Sequence, residues 1–531
     1  MRRGLRGTAA AVVALSTLTA CGGCSNSVEP PAAADPQGAA ARGGKGECPA
    51  VRAPGDSPAR QLRGMWIATV QGTDWPSDPS ASADKQKAEY RRLLDTAKAL
   101  NLNAVFFQVR PAGDAFYRSP YEPWSQWLTG TQGKDPGYDV LQFLIKEAHD
   151  RDLEFHAWFN PYRASMGTDR KKLAANHPAR QHPGWAPKYG DNLWYDPGLP
   201  QVRDLASKVV LDVVKRYDID GVHFDDYFYP YPLGSDFPDK ATFKAYGRGF
   251  SSVAAWRRHN VDVLVQGLSS QIHQAKPWMK FGISPFGVWR NSSSDPNGSK
   301  TKALQSYDDV YADTRMWVKK GWLDYVTPQL YWPIGDPRAD YRTLVEWWSR
   351  QVAGTGVQLS IGQAAYRVGE DPTWRKPAEL SRHLAVDAHY PAVRGDVFFS
   401  ARDLVHNKGG FATLVRKEHY QRPAIIPVIP GRGGSAPSPA AGVKAAPGGT
   451  SVKVQWQGSD ATSYAVYRVA GKGAGCAPVD PKSLLVTVRG TAISDPTVKP
   501  GTTYTYYVTA LDRLHHESPP ARGATVVAQR G

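Results

Sequence analysis

The chain has 531 residues, 41% hydrophobic and 21% charged, with 17 Trp, 25 Tyr and a formal net charge of +16. That length exceeds one ordinary core, so two or more domains are expected in what is compositionally a globular protein. The positive charge calls for anionic surroundings, but with no compact Lys/Arg cluster and no nucleic-acid fold signature, nucleic acid is set aside in favour of an acidic lipid surface or wall polymer.

The chain opens on MRRGLRG, a basic segment, followed by TAAAVVALSTL, an apolar run too short to span a bilayer. It leads into LTAC, the pattern of a bacterial lipobox. Residues 1–21 are therefore expected to be a lipoprotein signal peptide with Cys21 lipidated. The protein would then sit on the outer face of a bacterial membrane, held by its acyl chains alone. An ordinary cleaved signal is the alternative, and Arg2-Arg3 is a weak twin-arginine feature. Cys24, Cys48 and Cys476 leave room for one disulfide whose partners the spacing does not fix, and none has metal-site spacing.

Residues 22–58 are Ala/Gly/Pro/Ser-rich and aperiodic, as in a flexible tether. From there β-rich pulses alternate eight times with amphipathic stretches. The expected strands are Arg63–Val70, Ala104–Arg110, Glu154–Asn160, Gly221–Asp226, Lys280–Phe286, Tyr325–Tyr331, Gln358–Ala364 and Asp396–Ser400. Between them, Tyr90, Leu93, Leu94, Ala97 and Leu100 share one helical face, as do Val202, Leu205, Val209 and Val213. Eight such units predict an α/β fold, a (β/α)8 TIM barrel over residues 60–420. A doubly wound dinucleotide-binding sheet would carry a Gly-rich turn after its first strand, where QGTDWPSDPS stands instead. A Pro/Gly/Ser linker follows over 421–442. Residues 443–529 alternate at period two and predict a small all-β sandwich, with VKPGTTYTYYVTALD resembling the late strands of a fibronectin type III domain.

A TIM barrel carries its active site at the C-terminal strand ends. The candidates there are Asp74 and Trp75 after strand one, and Gln108, Arg110, Asp114, Glu122 and Trp124 after strand two. Strand three offers His156, Asn160 and Arg163, and strand four His223, Asp225, Asp226 and Tyr227. Ser284 and Trp289 follow strand five, Gln329, Tyr331 and Trp332 strand six, and Tyr366 and Arg367 strand seven. Strand alternation sends Val222 and Phe224 toward the helices and His223 and Asp225 toward the barrel mouth. Asp225 is thus the leading acid, with Asp226 orienting it or binding substrate. Carboxylates among aromatics point to glycoside hydrolysis, in which an acid protonates the leaving oxygen and a second group stands ~5–9.5 Å away. Glu122 is the first choice for that second group, then Asp114 and Asp74, with a substrate N-acetyl group as a further option. Trp75, Trp124, Trp289, Tyr331 and Trp332 are candidate sugar platforms, about half of them expected to be plain packing. Arg110, Asn160 and Arg163 are placed to hold sugar hydroxyls or carboxylates.

The motifs RGMWIATV…DWPS, FFQVRPAGDAFYRSPYEPWSQWLTG, PGYDVLQFLIKEAHDRDLEFHAWFNPYR, YDIDGVHFDDYFYP, KFGISPFGVWRN and DYVTPQLYW together resemble the bacterial glycosyl-hydrolase-like family described as family-10-like. That family includes surface lipoproteins and a divisome-localised glycosyl hydrolase. The resemblance spans about Arg63 to Asn407. It implies a TIM barrel cleaving peptidoglycan glycan strands, particularly peptide-stripped ones, and carries the catalytic aspartates onto Asp225 and Asp226. The HFDDY pair is also similar to the strand-four acids of barrels acting on poly-N-acetylglucosamine. Strand seven, SIGQAAYR, lacks the glutamate of true xylanases, so xylanase chemistry is not implied.

The expected function is therefore a lipid-anchored hydrolase of cell-wall amino-sugar glycan, with Asp225 as general acid and no cofactor or resident metal. Two alternatives stay open: a lipoprotein that grips glycan without cleaving it, and a metal-dependent deacetylase using His156, His223 and Asp225. The C-terminal module would space the barrel or dock it on a surface or partner.

Overall fold

The computed structural model describes residues 60–375, 378–473 and 480–529. Cys21, the tether and Cys24, Cys48 and Cys476 lie outside the described residues.

Eight parallel strands close into a barrel in which each neighbours the next in chain order. They are β1 (Leu62–Ile67), β2 (Ala104–Arg110), β3 (Glu154–Phe159), β4 (Gly221–Phe224), β5 (Lys280–Ile283), β6 (Tyr325–Val326), β7 (Gln358–Gln363) and β8 (Val393–Phe398). The expected TIM barrel is thus present. β1 stops at Ile67 because Val70–Gly72 turns into a 3-10 helix. β6 shortens to two residues, and the ladder continues only as bridges from Gln329 to Phe286 and Gly362.

Strand alternation sorts the side chains. Outward residues such as Val105, Phe155, Val222 and Phe224 join the core under the helices. Inward ones, Trp66, Phe106, Trp158, Tyr325 and Val397, fill the bore. Glycines on the inward positions make room for those rings. A Cβ on Gly282 would stand 2.2 Å from the Tyr325 ring, and one on Gly221 2.5 Å from His156 Nδ1. Any larger residue there would have to displace the ring.

The helices follow the apolar period. α1 (Ala83–Ala99) starts where Ser82 accepts from Lys85 N and buries Tyr90, Leu93, Leu94 and Ala97. α2 (Pro200–Arg216) opens on proline, whose missing N–H costs nothing in the first turn, and buries Val202, Leu205, Val209 and Val213. Each of these Leu and Val side chains contributes about 1.5–3 kcal/mol on burial.

The C-terminal part is a two-sheet sandwich, as the period-two alternation implies. One sheet takes β9 (Ala441–Pro447), β10 (Val452–Gln457) and β13 (Ala492–Asp495). The other takes β12 (Leu484–Val488), β11 (Ser463–Ala470), β14 (Thr503–Leu511) and β15 (Ala524–Val527). Tyr504, at the start of β14, accepts from Lys499 N at 3.1 Å, the tyrosine corner expected of this fold. The segment before it is not a free linker. Gln61 N donates to Ile425 O, and Ile425 and Ile426 are buried. The sandwich packs on the N-terminal end of the barrel, where Ile425 shares a core with Tyr467, Leu484 and Leu511. Arg60–Glu517 at 2.6 Å, Arg489–Asp220 at 3.2 Å and Arg513–Asp218 at 2.5 Å ring that contact.

Candidate active site

At the opposite, C-terminal end, a cleft of about 480 Å³ opens over the bore. Asp225 and Asp226 lie in it, just past β4. They are the only carboxylates among the described residues that line it. Its walls are aromatic: Trp66, Trp158, Tyr227, Tyr231, Phe286, Tyr331, Trp332, Tyr366 and Phe399.

Each aspartate is held by donors. Asn160 Nδ2, beyond β3, donates to Asp225 Oδ2, and Tyr227 N donates to Oδ1 at 3.1 Å. Asn160 is itself fixed by Gln108 Nε2, which donates to its Oδ1 at 2.6 Å. Tyr231 Oη donates to Asp226 Oδ2, and Gln329 Nε2 to Oδ1 at 2.8 Å. Burial first, then the neighbouring Asp226 charge, push the Asp225 carboxyl up to about 7. Burial likewise raises Asp226. Two adjacent carboxyls in a poorly hydrated cleft resist losing both protons, which suits one to act as an acid while the other stays charged.

Arg163 brings positive charge to the wall. Its backbone pairs with Trp194 in a small three-stranded sheet above the barrel, and its guanidinium lies 4.4 Å from the Tyr227 ring centroid. Arg367, on the far side, is bound to Asp371 at 3.1 Å.

Of the residues expected at the site, Gln108, Arg163, Asp225, Asp226, Tyr227, Ser284, Gln329, Tyr331, Trp332, Tyr366 and Arg367 line the cleft. Asn160 sits beneath it against Asp225. Others are elsewhere, for identifiable reasons. Glu122 is 2% exposed and closes a two-pronged ion pair with Arg110, with Nε donating at 2.8 Å, so it is no second acid opposite Asp225. Arg110 is spent on Glu122 and on the carbonyls of Asn160 and Pro161. Asp74 binds Ala68 N, Ser400 Oγ and Arg402 N, tying the end of β1 to the turn after β8. Asp114 is buried and takes Gln132 Nε2. Trp75 is fully buried with its indole N–H on Gln86 O, and Trp289 stacks on Trp347. Trp124 borders a separate surface depression with Arg118 and Tyr138. His223 lies below the cleft floor, and His156 deeper still. Both bond to Tyr325 Oη, so neither joins Asp225 as a metal ligand set. Among the described residues no three metal-ligating side chains gather.

Tyr231, Trp66, Trp158, Phe286 and Phe399 also line the cleft and are not among the residues expected there. The signal for Trp158 is its strand parity, shared with His156 and Asn160. Phe286 closes the expected fifth strand on the parity of Gly282 and Ser284 and is legible in the same way, whereas Tyr231 stands on a loop, where alternation gives no guide.

The chain matches the family model described as glycosyl hydrolase-like 10 over residues 61–377. It is 46% identical over 483 residues to glycosyl hydrolase YngK of Bacillus subtilis, covering 88% of this chain and 93% of that one. It is 42% identical over 364 residues to glycosyl hydrolase DigH of Escherichia coli, covering 64% and 83%. Among solved structures, the glycoside hydrolase domain of PgaB (BpsB) from Bordetella bronchiseptica aligns over 68% of this chain and 98% of its own, at 14% identity and a TM-score of 0.44. The extent of the first two relationships and of the family match makes this chain a member of the glycosyl hydrolase-like 10 family.

Proposed function

We propose that the protein is a glycoside hydrolase of bacterial cell-wall amino-sugar glycan, anchored outside the membrane through Cys21. The observation that carries the reading is the paired Asp225 and Asp226, each held by two donors, in an aromatic cleft with no other lining carboxylate among the described residues. A glycosidase needs a second group besides its acid. With Glu122 locked to Arg110, the acetamido group of an N-acetylated sugar is the fitting candidate.

In this reading Asp225 is the general acid. It gives its proton to the glycosidic oxygen as the C1–O bond breaks, and the acetamido carbonyl oxygen of the same sugar bonds to C1. Asp226, held by the Tyr231 and Gln329 donors, accepts from the acetamido N–H and offsets the positive charge of the cyclic intermediate. Water then adds to C1 as the bond from C1 to the acetamido oxygen breaks, and it gives a proton back to Asp225. The flat walls of Tyr331 and Trp332 suit stacking against sugar rings.

The test incubates the chain lacking residues 1–21 with peptide-stripped glycan and with intact wall. New reducing ends, lost in Asp225→Asn, are expected. Retention of glycan without cleavage would leave a binding protein, and acetate release abolished by a chelator would make it a deacetylase. Loss of fatty-acid labelling in Cys21→Ala tests the anchor.

A further inference from the structure

The bore below the cleft is not a plain apolar core. Ser284 Oγ, at the cleft floor, lies 2.9 Å from His223 Nε2, and His223 Nδ1 lies 3.2 Å from Tyr325 Oη. Tyr325 Oη is 2.9 Å from His156 Nδ1, and His156 Nε2 is 3.0 Å from Glu154 Oε2. Glu154 Oε1 meets Lys280 Nζ and, at 2.7 Å, His515 Nε2. His515 belongs to the C-terminal sandwich, on the turn after β14, with a left-handed φ of 64°. An unbroken column of hydrogen bonds thus runs from the sandwich through the barrel to the cleft.

One fixed donor sets the direction of the column. Trp66 Nε1–H also points at His223 Nε2, at 3.1 Å, and an indole nitrogen can only donate. His223 Nε2 therefore carries no proton, and burial with His156 nearby keeps the ring neutral. Its proton sits on Nδ1 and goes to Tyr325 Oη. Tyr325 must then donate to His156 Nδ1, and His156 Nε2–H to Glu154. Burial alone would raise Glu154, but Lys280 and His515 outweigh it and hold the carboxyl well below its usual range. The column ends on a fixed negative charge. At its upper end, Gln329 Nε2 donates both to Ser284 O at 2.9 Å and to Asp226 Oδ1.

We propose that this column makes His515 of the C-terminal module a positioning residue of the cleft, so that docking of the sandwich is felt at Ser284 and, through Gln329, at Asp226. The sandwich then completes the active site from beneath instead of only carrying the barrel. The catalytic half of this inference rests on the reading of the cleft given above.

The test uses the full chain labelled with nitrogen-15 at histidine, its signals assigned by single His→Gln replacements. The ring nitrogens of the free protein are expected to show His223 protonated on Nδ1 and His156 on Nε2, each as a single tautomer. Tyr325→Phe, which removes one oxygen and keeps the ring, should leave both tautomers in place, since Trp66 and Glu154 still fix them, while shifting the Nδ1 signals of both histidines. His515→Ala should shift the His223 signals, and His515→Gln, which can still donate to Glu154, should restore them. In cleavage, Tyr325→Phe and His515→Ala should lower kcat about tenfold, the loss of one hydrogen bond, at unchanged KM, with His515→Gln near wild type. A proton on His223 Nε2, or His223 signals indifferent to His515→Ala, would overturn the column. Normal kcat in both variants would overturn its effect on the cleft. These ring signals need no substrate, so a wild-type protein that cleaves nothing would sink the catalytic reading while leaving the column decided on its own.

Discussion

Replacing Asp225 by Asn should separate what this residue does for catalysis from what it costs the fold. Its carboxyl titrates at about 7 in the folded chain, against about 3.9 in an unfolded one. A carboxyl raised on folding contributes its full stability below the unfolded value, where both states hold the proton. That contribution is lost as pH rises through the folded value. Three units at about 1.36 kcal/mol each amount to about 4 kcal/mol lost by the wild type between pH 4 and pH 7. Asn does not ionise and escapes this loss. Its single carbonyl must instead face two donors, Asn160 Nδ2 and Tyr227 N, a mismatch costing about 1–3 kcal/mol. The variant should therefore be less stable than wild type at pH 4, by the mismatch, and more stable at pH 8, by about 1–3 kcal/mol. Urea unfolding at the two pH values reads this directly, with glycan cleavage lost at both. A difference in midpoint that keeps the same sign and size across that range would refute the buried, protonated Asp225.

Other expectations follow from the same geometry. Asp226→Asn removes the charge that helps raise Asp225, so the alkaline limb of any residual cleavage should move to lower pH. Glu122→Gln leaves Arg110 buried without its partner, which should cost about 3–5 kcal/mol in unfolding measurements, while kcat per folded molecule stays at the wild-type value. A large fall in kcat would restore Glu122 to the chemistry. Trp332→Ala, on the cleft wall, should raise KM about tenfold with little change in kcat or melting temperature. Trp75→Ala should do the reverse, destabilising by about 3–5 kcal/mol and leaving KM alone.

The alternation and apolar period along the chain are local quantities, and they determined the eight strands, the faces of the helices and the inward aim of His223 and Asp225. No register was needed, because a strand's parity and a helix's stripe are set by covalent geometry. The acid pair could be read for the same reason: its place at the end of β4 follows from counting along one strand. What lay beyond reach depended on which distant residues meet. Glu122 and Asp225 are both acidic and both follow barrel strands, yet Arg110 captures one and Asn160 the other, and only the folded loops decide that. Trp75 and Trp332 are equally plausible platforms as letters, but burial puts one under α1 and the other on the cleft wall. His515 offers no signal at all in its own neighbourhood. Its meaning comes from Glu154, 361 positions away along the chain, because a buried charge draws its partners from whatever the tertiary fold brings beside it.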